Sequence, residues 1–159
     1  MTSNWHERIE LFWNTAGTKN PDALRNELAQ LLAQKPANDA EALFERASLH
    51  DYLGEEALAI GPYRAAMAGT LSEQKLSEAR IQLASTLRNV GEFQEAIKLL
   101  RAVGPDSSLH RDAQAFLALA LHDAGEGTAA LRVALQALAP SLALYARPVH
   151  DYADELHAE

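Results

Sequence analysis

The sequence has no cysteine among its 159 residues, and aromatic side chains make up only 6% of it. Without thiols the chain can form neither a disulfide framework nor a thiolate nucleophile. No apolar run approaches the roughly 20 residues that a membrane-spanning helix needs. The first seven residues lack a basic region followed by an apolar core, so no signal peptide is expected. These features predict a cytoplasmic protein.

Basic residues are also scarce. The chain has 14 Lys and Arg against 22 Asp and Glu, which gives a formal net charge of −8. A chain this acidic repels the phosphates of nucleic acids and the anionic surface of membranes. We therefore expect neither nucleic acid nor a membrane as a partner.

Alanine and leucine dominate the 48% of residues that are apolar, and both favour helix because they lose little side-chain freedom there. Apolar residues recur at helical spacing along the whole chain, and no window alternates like a strand. The patterns predict helices over about 4–16, from Pro21 to a stop at Lys35–Pro36, and over 39–53, 55–68, 73–90, 92–102, 108–124, 126–139 and 142–157. A kink or a new helix start is expected at Pro62, and an interruption at Pro148.

An internal repeat is centred on Gly54, Gly91 and Gly125, which are 37 and 34 residues apart. Alanine stands seven residues before and five residues after each glycine, and an aliphatic residue stands six after it (Ala47, Ala84 and Ala118; Ala59, Ala96 and Ala130; Ile60, Ile97 and Leu131). Small side chains allow two antiparallel helices to approach closely, and glycine ends the first helix in a left-handed conformation. The pattern predicts three helical hairpins.

This period and pattern resemble the tetratricopeptide repeat, a helix-turn-helix unit of about 34 residues. The central repeat is the best match, through Leu83-Ala84, Leu87, Gly91, Phe93, Ala96 and Ile97. Leu43, Arg80 and Gln114 replace the tryptophan that the family favours early in the first helix. The sequences around Ala42–Ser48 and Leu83–Gly91 resemble a bacterial subgroup of short tetratricopeptide proteins, and this resemblance implies a homodimer.

The predicted fold is therefore all-α, a right-handed superhelical stack of antiparallel helix hairpins with about eight or nine helices. We predict one domain over 1–159. It begins with a degenerate hairpin over 4–36, continues with repeats over 40–68, 75–103 and 110–139, and ends with a capping helix over 141–157.

The concave face of such a stack is lined by the first helix of each hairpin and commonly binds a peptide or a helix. The residues predicted on this face, away from the paired helix, include Phe44, Ser48, Asp51, Tyr52, Ile81, Ser85, Arg88, Asn89, Leu119 and His122. Glu41, Asp112 and Asp123 make the predicted face mildly acidic, which favours a basic or polar peptide. The alternatives are a merely solvated face, or a groove filled by the C-terminal segment.

A second candidate surface is the aromatic face of the first helix, formed by Trp5, Ile9, Phe12 and Trp13. It could cap the open end of the stack, as terminal hairpins do. It could also form a dimer interface, where aromatic residues are enriched.

Metal binding and catalysis have little support in the sequence. His150, Asp154 and His157 could share one helical face and form a metal site, although an exposed polar face is the simpler interpretation. Neither a phosphate-binding glycine loop nor a nucleophile elbow is present.

We predict a non-catalytic, self-associating interaction scaffold without cofactors. The alternatives are an assembly or secretion chaperone, and a small metal-binding protein or enzyme that uses the histidine cluster.

Overall fold

The computed structural model describes residues 4–157, and over this range it contains helices and no strand. Met1–Ser3, part of the segment used to exclude a signal peptide, lie outside the described residues. The helices are α1 (Trp5–Thr15), α2 (Pro21–Leu32), α3 (Ala40–Tyr52), α4 (Glu56–Ala68), α5 (Glu73–Asn89), α6 (Phe93–Arg101), α7 (His110–Asp123), α8 (Gly127–Leu138) and α9 (Ala146–Asp154). Short 3₁₀ turns follow α1 and α8 at Ala16–Thr18 and Ala139–Ser141. The prediction of an all-α fold is confirmed.

The chain forms two compact units, Met1–Leu71 and Ser72–Glu159, which we call the N-terminal and C-terminal units. The boundary between them falls in the connector after Gly69, where the longer spacing between the first two repeat glycines places the extra residues. The prediction of a single domain over 1–159 stays a prediction.

Helix starts follow the capping residues in the sequence. The side chains of Asn4, Asn20, Asp39 and Ser72 each accept a hydrogen bond from the backbone N–H three residues later. At Asn4 the Glu7 carboxylate also accepts from the Asn4 backbone, which completes a capping box. These bonds satisfy backbone donors that have no partner within the helix.

The three repeat glycines adopt the same left-handed turn, with φ of +72° at Gly54, +87° at Gly91 and +83° at Gly125. The glutamate after each glycine donates a backbone hydrogen bond of 2.8 Å to a carbonyl in the last turn of the preceding helix, for example from Glu92 N–H to the Leu87 carbonyl. This is the hydrogen bonding of a helix that ends at glycine. The turn therefore repeats in geometry as well as in sequence.

The core of the N-terminal unit joins α1, α2 and α3. Phe12 of α1 is fully buried and belongs to one apolar cluster with Leu24 and Leu28 of α2 and Leu49 of α3. The hairpin of α3 and α4 follows, and there Tyr63 of α4 is buried against Phe44, with 5.8 Å between their ring centres. Burying such side chains is the main stabilising contribution to a fold of this size.

In the C-terminal unit, α7 packs on both helices of the α5–α6 hairpin, α8 pairs with α7, and α9 packs on α8. Ala84 of α5 and Ala96 of α6 are fully buried, as close helix packing requires. None of the helices within residues 4–157 is long and apolar enough to cross a membrane.

The two predictions about proline have different outcomes. Helix α4 runs from Glu56 to Ala68 through Pro62 without the new start that was one alternative, and a kink there stays a prediction. At the C-terminus, the predicted helix over 142–157 is shorter and begins only at Ala146. Pro148 therefore lies in the first turn of α9, where the missing N–H has no intrahelical partner to lose, and it does not interrupt the helix.

Candidate functional site

An open groove of about 760 Å³ lies between α7 and α8 in the C-terminal unit. We call it the α7–α8 groove. Its lining residues recur every three or four positions, so each helix contributes one face. They are Arg111, Ala115, Ala118, Leu119 and His122 from α7, Gly127, Ala130, Leu131, Ala134, Ala137 and Leu138 from α8, and Ser141 after it.

The walls of this groove are leucines that remain half-exposed. The exposed fraction is 46% for Leu119 and 50% for both Leu131 and Leu138. Most of the other lining residues are alanines, which leave space between the leucines. A groove lined by leucines is a candidate interaction site, because covering these side chains removes apolar surface from water.

The ionisable side chains that line the groove belong to basic residues. Arg111 lies in the first turn of α7 and His122 in its last turn, and no carboxylate is among the lining residues. The expectation of a mildly acidic binding face therefore does not hold for this groove. Asp112 and Asp123, which suggested it, are not among its lining residues.

Two of the predicted binding residues, Leu119 and His122, line the groove. Arg88 of α5 is half-buried and forms an ion pair with Asp123 of α7, with 2.5 Å between Nε and Oδ2. Asn89, beside it, is exposed, and Ser85 is half-buried. The remaining predicted residue of the C-terminal unit, Ile81, is buried at 8% exposure and offers little surface to a partner.

In the N-terminal unit, Phe44 was predicted to face away from the paired helix, and this is wrong. It is 3% exposed and its ring packs on Tyr63 of that helix. The Tyr63 hydroxyl reaches the predicted residues Asp51 (3.2 Å to Oδ2) and Ser48 (3.4 Å to Oγ). Burial raises the pKa of Tyr63 well above its usual range, so the hydroxyl remains a donor. Tyr52 is exposed.

The aromatic face of α1 packs within the N-terminal unit. Ile9 and Phe12 are buried, while Trp5 and Trp13 are half-buried. The Trp5 indole N–H donates to the Leu31 carbonyl at 3.0 Å, and that of Trp13 donates to the buried Glu45 carboxylate at 2.6 Å. These contacts favour a packing role for the face, and a role in dimerisation stays a prediction.

A polar cluster joins α2 to the turn after α3. Arg25 donates two hydrogen bonds to the Glu55 carboxylate, at 2.6 and 3.1 Å, and His50 Nδ1 lies 2.8 Å from the same group. The hydrogen bond from Arg25, and after it the contact with His50, lowers the pKa of Glu55 from 4.5 to about 2. His50 is half-buried, and Glu55 is its partner.

The histidine cluster proposed as a metal site does not share one helical face. His150 Nδ1 lies 3.5 Å from Asp154, but α9 ends at Asp154, so His157 is outside the helix. Within residues 4–157 no group of three or more His, Cys, Asp or Glu residues is placed to hold a metal ion.

A second, polar cavity of about 540 Å³ was not foreseen. It lies between the start of α5 and the loop after α6, with Ser77, Arg80 and Ser107 in its lining. Sequence reasoning also missed the α8 wall of the α7–α8 groove, because the repeat alignment assigns Leu131 to packing. The sequence signals that could have indicated this groove were the basic residues at the two ends of α7 and the alanines between the leucines.

Known proteins resemble this chain in fold. A crystal structure of a candidate kinesin light chain from Podosopora anserina with nearly identical TPR-like repeats superimposes with a TM-score of 0.72 and 18% identity, over 96% of this chain and 84% of that one. A crystal structure of MamA protein matches with a TM-score of 0.65 and 17% identity, over 98% of this chain and 78% of that one. No curated protein sequence matches. The family described as Tetratrico peptide repeat matches residues 40–156, and the chain therefore belongs to the tetratricopeptide repeat family.

Proposed function

We propose that this protein is a non-catalytic protein-interaction scaffold, and that its α7–α8 groove receives an apolar segment of a partner protein. The observation that carries the proposal is the row of half-exposed leucines, Leu119, Leu131 and Leu138, along a groove of about 760 Å³. Tetratricopeptide repeats generally bind protein partners, and the family membership supports this assignment.

A small-molecule site is less consistent with the same groove. Small-molecule pockets usually enclose most of the ligand and add a few converging polar groups. Here the walls are half-exposed, and the ionisable groups lie in the first and last turns of α7 rather than converging on one point. An apolar stripe of a protein segment fits these features better.

The proposal is tested by the Leu131→Glu variant, which places a charge in the apolar wall. The matched control is Leu58→Glu, because Leu58 is similarly exposed at 57% but lies on α4 in the other unit. The immobilised variants are incubated with extract of the source cells, and retained proteins are compared by mass spectrometry. We expect a partner that Leu58→Glu retains and Leu131→Glu loses. Identical sets of retained proteins would exclude the groove as the interaction site.

We also propose that the protein self-associates and works in the cytoplasm. Self-association is supported by the exposed apolar side chains at the end of the C-terminal unit, with Leu144 81% exposed and Tyr145 and Tyr152 each 68% exposed. The absence of cysteine suits a reducing compartment. An assembly chaperone remains the second candidate function, because the groove could shield the apolar helix of a subunit from water.

A further inference from the structure

The chain contains its own example of how such a groove is filled. The hairpin of α5 and α6 is equivalent to the hairpin of α7 and α8 when Gly91 is aligned with Gly125. Helix α7 packs on both α5 and α6. The α5–α6 hairpin therefore shows the groove in its occupied form, and the α7–α8 hairpin shows it open.

Burial at equivalent positions differs accordingly. Ile97 is 3% exposed, whereas Leu131, its equivalent six residues after the glycine, is 50% exposed. Leu100 is 1% exposed, and its equivalent Ala134 is exposed. The same change holds for Ile81, which is buried, and Ala115, which is exposed. The positions that α7 covers in one hairpin are uncovered in the next.

The pattern of α7 shows what kind of helix fits. Helix α7 packs on α8 as well as on the α5–α6 hairpin, and its buried residues are Ala113, Leu117, Ala120 and Leu121, a stripe of alanine and leucine at helical spacing. Small residues in the stripe allow close helix approach, and the leucines fill the spaces beside them. An occupant of the α7–α8 groove needs a stripe of the same kind.

The ion pair of Arg88 in the occupied hairpin has an equivalent position in the open hairpin. Arg88 of the occupied hairpin binds Asp123, which is carried by the covering helix α7. Arg88 and His122 both stand three residues before their repeat glycine, so His122 occupies the place of Arg88 in the open hairpin. With Arg111 at the other end and no carboxylate in the lining, the groove is suited to a partner that carries negative charge.

We propose that the α7–α8 groove binds an amphipathic helix of another protein, with an alanine–leucine stripe like that of α7 and a carboxylate opposite His122. This rests on the proposed function, because it specifies the partner of the same groove. The helix occupies the position that α7 takes on the preceding hairpin. Its carboxylate pairs with His122 as Asp123 pairs with Arg88.

The probe is a fluorescein-labelled, end-blocked peptide with the sequence of residues 108–124, titrated against the intact protein by fluorescence anisotropy. A second peptide carries Asp123→Asn. The protein is used as wild type, Leu131→Glu and His122→Arg, and circular dichroism confirms that each variant is folded. Leu131 tests groove binding because it lines the groove and its side chain is 50% exposed before any helix binds.

We expect Leu131→Glu to weaken binding of the first peptide by about tenfold or more, since it desolvates a charge in the contact. Asp123→Asn in the peptide should weaken binding by about two- to fivefold, the usual value of a partly exposed ion pair. His122→Arg should strengthen binding of the aspartate peptide and leave the asparagine peptide unchanged.

Binding that is unaffected by Leu131→Glu, or that shows no preference for aspartate with His122→Arg, would overturn this inference. Extract partners that depend on Leu131 would still support the proposed function in that case. Conversely, peptide binding that depends on Leu131 and on aspartate, without any extract partner that depends on Leu131, would support the helix-binding inference and contradict the proposed function. A concentration-dependent dimer in sedimentation that Leu131→Glu abolishes would identify the occupant as a second copy and also overturn the inference.

Discussion

Glu55 shows how a single side chain connects helices within the N-terminal unit. It follows the left-handed Gly54 and receives Arg25 from α2 and His50 from α3 on one carboxylate. The backbone N–H of Glu55 also closes the turn by donating to the His50 carbonyl at 2.8 Å. Glu55 thus closes the turn that ends α3 and also binds a side chain of α2.

We predict that the contribution of Glu55 to stability depends on pH. A carboxyl group whose pKa is lower in the folded state stabilises the fold above its unfolded pKa, and the effect is lost as pH falls through the folded pKa. With the pKa of Glu55 lowered from 4.5 to about 2, the contribution should be complete above about pH 5 and should disappear toward pH 2. Urea unfolding of wild type and Glu55→Gln should differ near neutral pH and converge in acid. A difference that is constant with pH would contradict this.

At the scale of elements, the repeat turns and the helix interior of α4 place different demands on glycine. Gly91 has φ of +87°, which a side chain disfavours whatever the space around it. Gly61 lies inside α4 directly before Pro62, and beyond its chain neighbours a Cβ placed there would meet nothing within 4 Å. The backbone requires the first glycine. The second lowers the helix propensity of α4 but avoids a contact between a Cβ and the ring of Pro62.

Substitution by alanine should therefore have unequal effects at these two positions. Gly91→Ala should lower the free energy of unfolding by about 1–2 kcal/mol, the cost of a left-handed residue with a side chain. Gly61→Ala should change it by less than about 1 kcal/mol, because the gain in helix propensity is opposed by the contact of the new Cβ with the ring of Pro62. Chemical denaturation of the two variants beside wild type measures both. A loss at Gly61 equal to or larger than that at Gly91 would show that the turn does not constrain Gly91 as described.

At the scale of the whole molecule, equivalent residues have different roles because their surroundings differ. Ile97 and Leu131 occupy the same position of the repeat, but only Ile97 is buried by a following helix. The first contributes to the core and the second to an open surface. The repeat thus provides an internal comparison between packing and recognition.

This comparison predicts unequal costs for the same kind of truncation. Ile97→Ala should destabilise the protein by about 2–5 kcal/mol, because it leaves a cavity in a packed core. Leu131→Ala should cost less than about 1 kcal/mol, since half of the side chain is already in water. Thermal unfolding of the two variants gives the measurement. Equal losses would mean that Leu131 is buried in solution, for example in an assembly.

The sequence predicts local structure well because helix starts, turns and small packing residues are local signals. The side chains of Asn4 and Ser72 cap their helices, and the three glycines adopt the predicted left-handed conformation. Exposure is less predictable, because it depends on which element lies next in space. Leu131 is half-exposed because α9 packs on α8 without covering it. Phe44 is buried, and Tyr63 of α4 packs on it.

The two tryptophans of the chain, Trp5 and Trp13, both lie in the N-terminal unit, where their indole groups donate hydrogen bonds. Tryptophan emission therefore reports on one half of the protein, while circular dichroism reports on the helices of both. Comparing the two signals during unfolding shows whether the halves melt together. The half that carries the groove contains no tryptophan, so a tryptophan on a bound helix would report on the groove itself, above the background emission of Trp5 and Trp13.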